Sequence, residues 1–108
     1  MVEKIEEYAK ENTITIMEKE GIQYLKQYII DHQVETILEL GTAIGYSAIQ
    51  MASVSPSIKF VTLERDLDRY QEAIKNIKAC HLEEQITCHL VDAFDFETDE
   101  MFDLIFID

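Results

Sequence analysis

The sequence predicts an α/β fold: a Rossmann-like, doubly wound parallel sheet, preceded by two helices and truncated after its fourth strand. Three observations predict it. Short apolar runs alternate with segments of helical periodicity, which is the pattern of βαβ units and a parallel sheet. Two of those runs, "ILEL" (37–40) and "LIFI" (104–107), are nearly continuous in apolar residues, as expected of strands covered on both faces. Two of the chain's three glycines, Gly41 and Gly45, sit directly between the first of these runs and a helical pattern.

The elements follow in order. From Val2 to Glu11 the positions Ile5, Tyr8 and Ala9 mark a weak helix. "NTITIM" (12–17) alternates briefly and reads as a connection. Ile22, Leu25, Tyr28 and Ile29 recur at helical spacing, so a helix is expected from Glu18 to about Asp31. Thr36 to Leu40 is a strand, and Tyr46 to Ser53 a helix opening on the glycine loop, ended by Ser55-Pro56. Lys59 to Leu63 is the second strand. Asp66 to Ala79 is a helix with Asp66 as its N-cap. Ile86 to Val91 and Phe102 to Ile107 complete the set of strands.

Length and composition bound the possibilities. A chain of 108 residues, 47% hydrophobic, is at most one domain. No apolar stretch approaches the roughly 20 residues of a membrane span, and nothing resembles a signal peptide. Two cysteines are too few for a disulfide framework, so a cytoplasmic protein is expected. Acids outnumber bases 22 to 9, a net charge of −13, which argues against this stretch alone being a nucleic-acid footprint. The last residues, "MFDLIFID", end on a strand-like run with no closing helix. The expectation is therefore a fragment, cut in mid-fold.

In open α/β sheets, ligands bind beyond the carboxyl ends of the strands. Each expected strand carries an acid at or near that end: Glu39 with Gly41, Glu64, Asp92 and Asp108. Converging carboxylates would repel a pyrophosphate and suit a cation, or a ligand rich in hydroxyl and amino donors. The loop Gly41-Thr42-Ala43-Ile44-Gly45 agrees, because it lacks the middle glycine of a dinucleotide site and the Lys-Ser/Thr pair of a P-loop. Gly41 can turn sharply out of the strand, and Gly45 lets the helix start close to the sheet. Glu64 follows Gly41 by 23 positions, near the spacing at which an acid bonds ribose hydroxyls in the related dinucleotide motif. These features point to a nucleoside without phosphates, of which S-adenosylmethionine is the common one. A plain βα turn with a solvated acid downstream is the structural alternative.

"ILELGTAIGYSAIQMA", "TLERD", "VDAFDF" and "FDLIFID", in this order, resemble the successive motifs of the cation-dependent class I O-methyltransferases, the family of the catechol and caffeoyl-CoA enzymes. "TITIMEKEGIQYL" upstream extends the resemblance over nearly the whole chain. Within the family the chain is most similar to the bacterial branch that includes the tRNA 5-hydroxyuridine methyltransferase. The resemblance implies S-adenosylmethionine as cofactor. Gly41, Thr42, Ala43 and Gly45 would flank its methionine part, and Ser47 would hydrogen-bond its carboxylate. Glu64 would hold the ribose hydroxyls, and Asp92 and Ala93 would lie by the adenine. Thr15 and Ile16 would cover the amino-acid end. Asp108 would border the cofactor and be the first ligand of a magnesium-like divalent cation. The family's later Asp-Asn metal ligands, and a lysine that is a candidate base, have no counterpart in these 108 residues, so the chain corresponds to a cofactor-binding half with little or no turnover alone.

The substrate implied is a tRNA wobble-uridine hydroxyl or a small catechol-like phenol. Similarity within the family favours tRNA slightly, and the acidic charge favours a small molecule. Full-length relatives are often dimers, so a homodimer is a further expectation. A non-catalytic nucleoside-binding or interaction module is the alternative reading, and a dehydrogenase is disfavoured by the missing glycine. Cys80-His81 and Cys88-His89 fit no zinc spacing, and neighbouring strand residues point to opposite faces. Tyr46 would close over the cofactor or simply pack.

Overall fold

The computed structural model describes residues 2–11 and 18–107. Thr15, Ile16 and Asp108, all expected at the site, lie outside the described residues. Helices α1 (Val2–Glu11) and α2 (Lys19–His32) precede strand β1 (Thr36–Leu40). Helix α3 (Tyr46–Ala52), β2 (Lys59–Glu64), α4 (Leu67–Ala79), β3 (Ile86–Leu90) and β4 (Leu104–Ile107) follow. A 3-10 turn, Ala93–Asp95, lies between β3 and β4.

Each element forms where its local chemistry favours it. Helix α1 buries Ile5 and Ala9, four residues apart on one face. Helix α2 buries Ile22 and Ile29 and ends at Gln33, whose left-handed φ of 51° turns its N–H back to the Ile29 and Ile30 carbonyls. Helix α4 starts where the Asp66 carboxylate accepts the Arg69 N–H at 3.0 Å. The Gln85 side-chain amide donates to the carbonyls of Ala52, Ser55 and Ile58, fixing the turn between α3 and β2. Asp103 pins the start of β4 to the start of β1, accepting the Glu35 and Thr36 N–H groups at 2.9 and 3.3 Å. Those two bonds hold its carboxyl below the usual carboxylate range.

The four strands are parallel, in the order β3-β2-β1-β4. The chain steps outward from β1 to β2 to β3, then returns to the other side of β1. The reversal beside β1 is the switch point at which an open sheet parts its loops and leaves a crevice. Because all strands run one way, the ends at Leu40, Glu64, Leu90 and Ile107 share one edge of the sheet.

The core lies on one face. Ile37, Phe60, Ile86 and Cys88 join Ile5, Ile22, Ile29, Ile49, Ala73 and Ile77 from the four helices in one buried cluster. Leu104 and Phe106 of β4 pack against it, and the Phe60 and Phe106 rings meet edge to face at 6.3 Å. Alternation sends Ile105 and Ile107 to the opposite face, where they are 58% and 78% exposed. The apolar runs "ILEL" and "LIFI" thus meet helices on one face only, among the described residues. The continuity of apolar residues in β4 reflects a second sheet surface that these helices do not reach.

Tyr46, at the start of α3, is buried, and its hydroxyl donates to Glu6 of α1 at 2.5 Å. It packs, and ties the first helix to the third. Gly45, just before it, has φ 87°. A Cβ there would stand 3.6 Å from Ala73 of α4, an ordinary contact, so the neighbour it approaches is a helix and not the sheet. The backbone conformation, more than the space, requires glycine.

Two predictions follow from this packing. Gly45→Ala should destabilise the fold by about 1–2 kcal/mol through the left-handed φ. Urea unfolding reads this directly, and an unshifted midpoint would contradict the loop geometry. The second concerns alkali. Burial, then the Glu6 carboxylate, pushes the Tyr46 hydroxyl from its ordinary 10.0 up to about 12. Burial also pushes the Cys88 thiol from 9.0 up to about 11. Above pH 9 the folded chain therefore retains protons that the unfolded chain has lost, and stability falls as pH rises from about 9 towards 12. Cys88→Ala and Tyr46→Phe should each flatten that decline; a urea midpoint constant from pH 9 to 11 in the parent chain would refute it.

Candidate functional site

Beyond the carboxyl edge of the sheet lies a cavity of about 770 Å³. It is lined by Leu40 and Gly41 after β1, Ala43 in the loop, Leu63 to Arg65 after β2, Arg69 on α4, Val91 to Phe94 after β3, and Ile107 of β4. Its size and mixed apolar and polar walls suit a small-molecule ligand.

The glycine loop is shaped by Glu64. Gly41 leaves β1 with φ 102°, and Ala43 adopts a left-handed φ of 51°, uncommon for a residue with a side chain. The Ala43 N–H donates to Glu64 Oε1 at 2.7 Å, and the Asp66 N–H to Oε2 at 3.0 Å. One carboxylate thus holds the loop after β1 and the turn after β2 together. The Gly41 and Thr42 N–H groups add bonds to the Leu63 carbonyl at 2.9 and 3.0 Å. Each Glu64 oxygen retains acceptor capacity beyond its backbone bond, since a carboxylate offers about four lone-pair sites. Ala43 stands where a dinucleotide site has its middle glycine. Its N–H, a phosphate donor in such sites, is already committed to a carboxylate.

The expected site residues separate into two sets. Gly41, Ala43, Glu64, Asp92 and Ala93 meet along the cavity wall. Thr42, Gly45 and Ser47 lie behind it. Thr42 is 1% exposed and its hydroxyl bonds that of Thr62 at 2.7 Å. Ser47 donates to the Glu39 carboxylate, which also accepts from the Thr62 hydroxyl at 2.6 Å. Glu39 is fully buried, so it is not a rim carboxylate as its place near the strand end suggested. It shares the helix-covered face with Ile37, two residues earlier, and the pleat turns it inward.

The rim is also less acidic than the sequence pattern implied. Arg65 and Arg69 line the cavity beside Glu64 and Asp92, and Arg65 Nη1 stands 3.6 Å from Asp92 Oδ2. Two guanidinium groups against two carboxylates remove the simple argument from charge repulsion. Sequence reasoning missed both arginines and Phe94. The available signal was position: Arg65 and Phe94 immediately follow strand-end acids or their neighbours, and Arg69 sits one helical turn beyond Arg65.

No cation site emerges among the described residues, where no group of three His, Cys, Asp or Glu side chains is placed to hold a metal. Cys88 is buried with its thiol 3.6 Å from the Thr42 hydroxyl, while His89 is exposed on the other face beside Phe96. The two cannot share an ion, as their strand positions foretold. Among the described residues no helix is long and apolar enough to cross a membrane.

Comparison with known proteins gives the arrangement its context. A structure described as a caffeoyl-CoA O-methyltransferase from Staphylococcus aureus superposes with a TM-score of 0.92 at 34% identity, over 96% of this chain and 51% of that one. An O-methyltransferase from Bacillus cereus in complex with SAH superposes at 0.88 and 27% identity, over 99% and 53%. A catechol O-methyltransferase from Niastella koreensis is 40% identical over 83 residues, 70% of this chain and 38% of that protein. The chain thus spans about half the length of the two structures and less of the third relative. The family model described as O-methyltransferase matches residues 1–108, and the chain belongs to that family.

Proposed function

We propose that the cavity binds S-adenosylmethionine, and that residues 1–108 are the cofactor-binding half of an O-methyltransferase domain acting on the hydroxyl of a small catechol-like phenol. The observation that carries this reading is the Glu64 carboxylate, fastened to the loop by the Ala43 N–H and lining the cavity beyond the strand ends. The SAH complex of the Bacillus cereus relative supports the cofactor, and the Niastella koreensis relative supports the phenol. The net charge of −13 also favours a small acceptor over a polyanion.

The residues fit the cofactor. Glu64 accepts the ribose hydroxyls through the lone pairs its backbone bonds leave unused. Asp92 and Ala93 border the adenine, and Gly41 and Ala43 flank the methionine portion with bare backbone. Thr42 and Gly45 contribute through the shape of the turn. Ser47 reaches a ligand carboxylate only by giving up its bond to Glu39. Thr15 and Ile16 complete the amino-acid end in this reading. The bound cofactor supplies a methyl group activated by its sulfonium charge. The chain's contribution is to fix that group in one orientation, so that an acceptor oxygen meets it in line.

A divalent cation is the part of the reading that the described residues do not fit. Its proposed ligand, Asp108, is a single carboxylate, and a hard cation needs several oxygen ligands. No step is assigned to it. The tRNA substrate of the related bacterial branch competes with the phenol, and a homodimer is the proposed assembly of the longer protein.

Calorimetry tests the cofactor. S-adenosylmethionine or SAH should bind and NAD should not; tighter NAD binding would sink the reading. Glu64→Ala should weaken SAH binding by about 2 kcal/mol through lost charge-assisted hydrogen bonds, and an unchanged affinity would remove Glu64 from the ribose. In the longer protein, label from methyl-labelled cofactor should enter catechol, whereas label in bulk tRNA would reverse the substrate assignment.

A further inference from the structure

Four successive residues leading into α3 are tied to four different parts of the chain. The Ile44 carbonyl accepts the Asn76 side-chain amide of α4 at 2.9 Å. The Gly45 N–H donates to the Thr42 carbonyl at 3.0 Å, closing the turn of the glycine loop. The Ser47 hydroxyl donates to Glu39 of β1. Tyr46, between them, donates its hydroxyl to Glu6 Oε2 of α1 at 2.5 Å. Asn76, Thr42 and Glu39 are buried, whereas the Glu6 side chain is 24% exposed. Its other oxygen stands 3.6 Å from Lys19 Nζ at the start of α2. Glu6, Lys19 and Tyr46 line a small cavity between the first three helices, outside the larger one beyond the strand ends. Of the four ties, the one to α1 is therefore the one whose partner meets water. Tyr46 is itself buried, and its hydroxyl, deprived of that acceptor, would have to shift to find another.

Resting on the cofactor reading above, we propose that Glu6 and Tyr46 are positioning residues, through whose bond α1 acts on the glycine loop and sets its grip on the amino-acid end of the cofactor. Neither residue lines the cofactor cavity. Gly41 and Ala43 do, and in that reading they flank the methionine portion. Gly45 joins the loop to Tyr46 through its bond to Thr42. The sugar and base walls follow β2 and β3, whose own ladder aligns Glu64 with Leu90. Loosening the α1 tie therefore disturbs one end of the ligand and spares the other. A supporting bond behind a site keeps the groups in front of it in a single geometry.

The test is a pair of ligands on the full chain. SAH carries the amino-acid chain, and 5′-methylthioadenosine has the same base, sugar and sulfur without it. Tyr46→Phe, which keeps the buried ring, should weaken SAH binding about fivefold and leave methylthioadenosine within about twofold of the parent. Glu6→Ala should do the same. The double variant should lose no more than either single change, because the two side chains act as one unit. Glu6→Gln, which keeps an oxygen for the Tyr46 hydroxyl, should bind SAH within about twofold of the parent. Equal weakening of the two ligands, additive losses in the double variant, or SAH binding by Tyr46→Phe at the parent affinity would overturn the inference and leave the cofactor reading standing. Failure of the parent chain to bind SAH at all would overturn both.

Discussion

The bond from the Ala43 N–H to Glu64 Oε1 is the constraint on which the site depends. A left-handed alanine is conformationally costly, and an unsatisfied N–H beside it would be costlier still. Glu64 offsets both, and with its other oxygen it holds the N–H of Asp66, the residue that caps α4. The loop after β1 and the entry to α4 are thereby referred to one carboxylate. Any ligand group that meets Glu64 meets it in an orientation fixed by backbone, not by a freely rotating side chain. That preorganisation is what a binding wall requires.

Behind the wall a second polar system does a different job. Glu39 takes the Ser47 and Thr62 hydroxyls, and Thr62 in turn pairs with Thr42. With the Thr62 proton given to Glu39, the Thr42 hydroxyl must supply the proton of the bond between the two threonines. The network knits the ends of β1 and β2 to the first turn of α3, where helix and sheet would otherwise leave polar groups without partners. Among the described residues no buried side-chain nitrogen or oxygen lacks a hydrogen-bond partner.

The fold was legible where periodicity speaks. The amphipathic spacing of α2 and α4, the Asp66 cap and the strand positions all sit within a residue or two of the structure, because burial on one face leaves a repeating trace. Side-chain direction within turns leaves no such trace. Thr42 and Ser47 belong to a glycine-rich motif that suggests ligand contact, yet each turns its hydroxyl inward. Glu39 was more legible than its position near the strand end made it, since Ile37 already marks the covered face. The arginines at 65 and 69 escaped attention because net charge averages over a surface, whereas a cavity is decided by the few groups that line it.

The sheet surface bearing Ile105 and Ile107 has a consequence for how copies of this chain meet one another. Contiguous apolar side chains in water attract their like, and a parallel edge strand offers hydrogen bonds to any neighbour. Against that attraction stands a long-range repulsion between molecules carrying thirteen surplus negative charges each. Acidification towards the isoelectric point near 4.4 removes the repulsion and leaves the stickiness untouched.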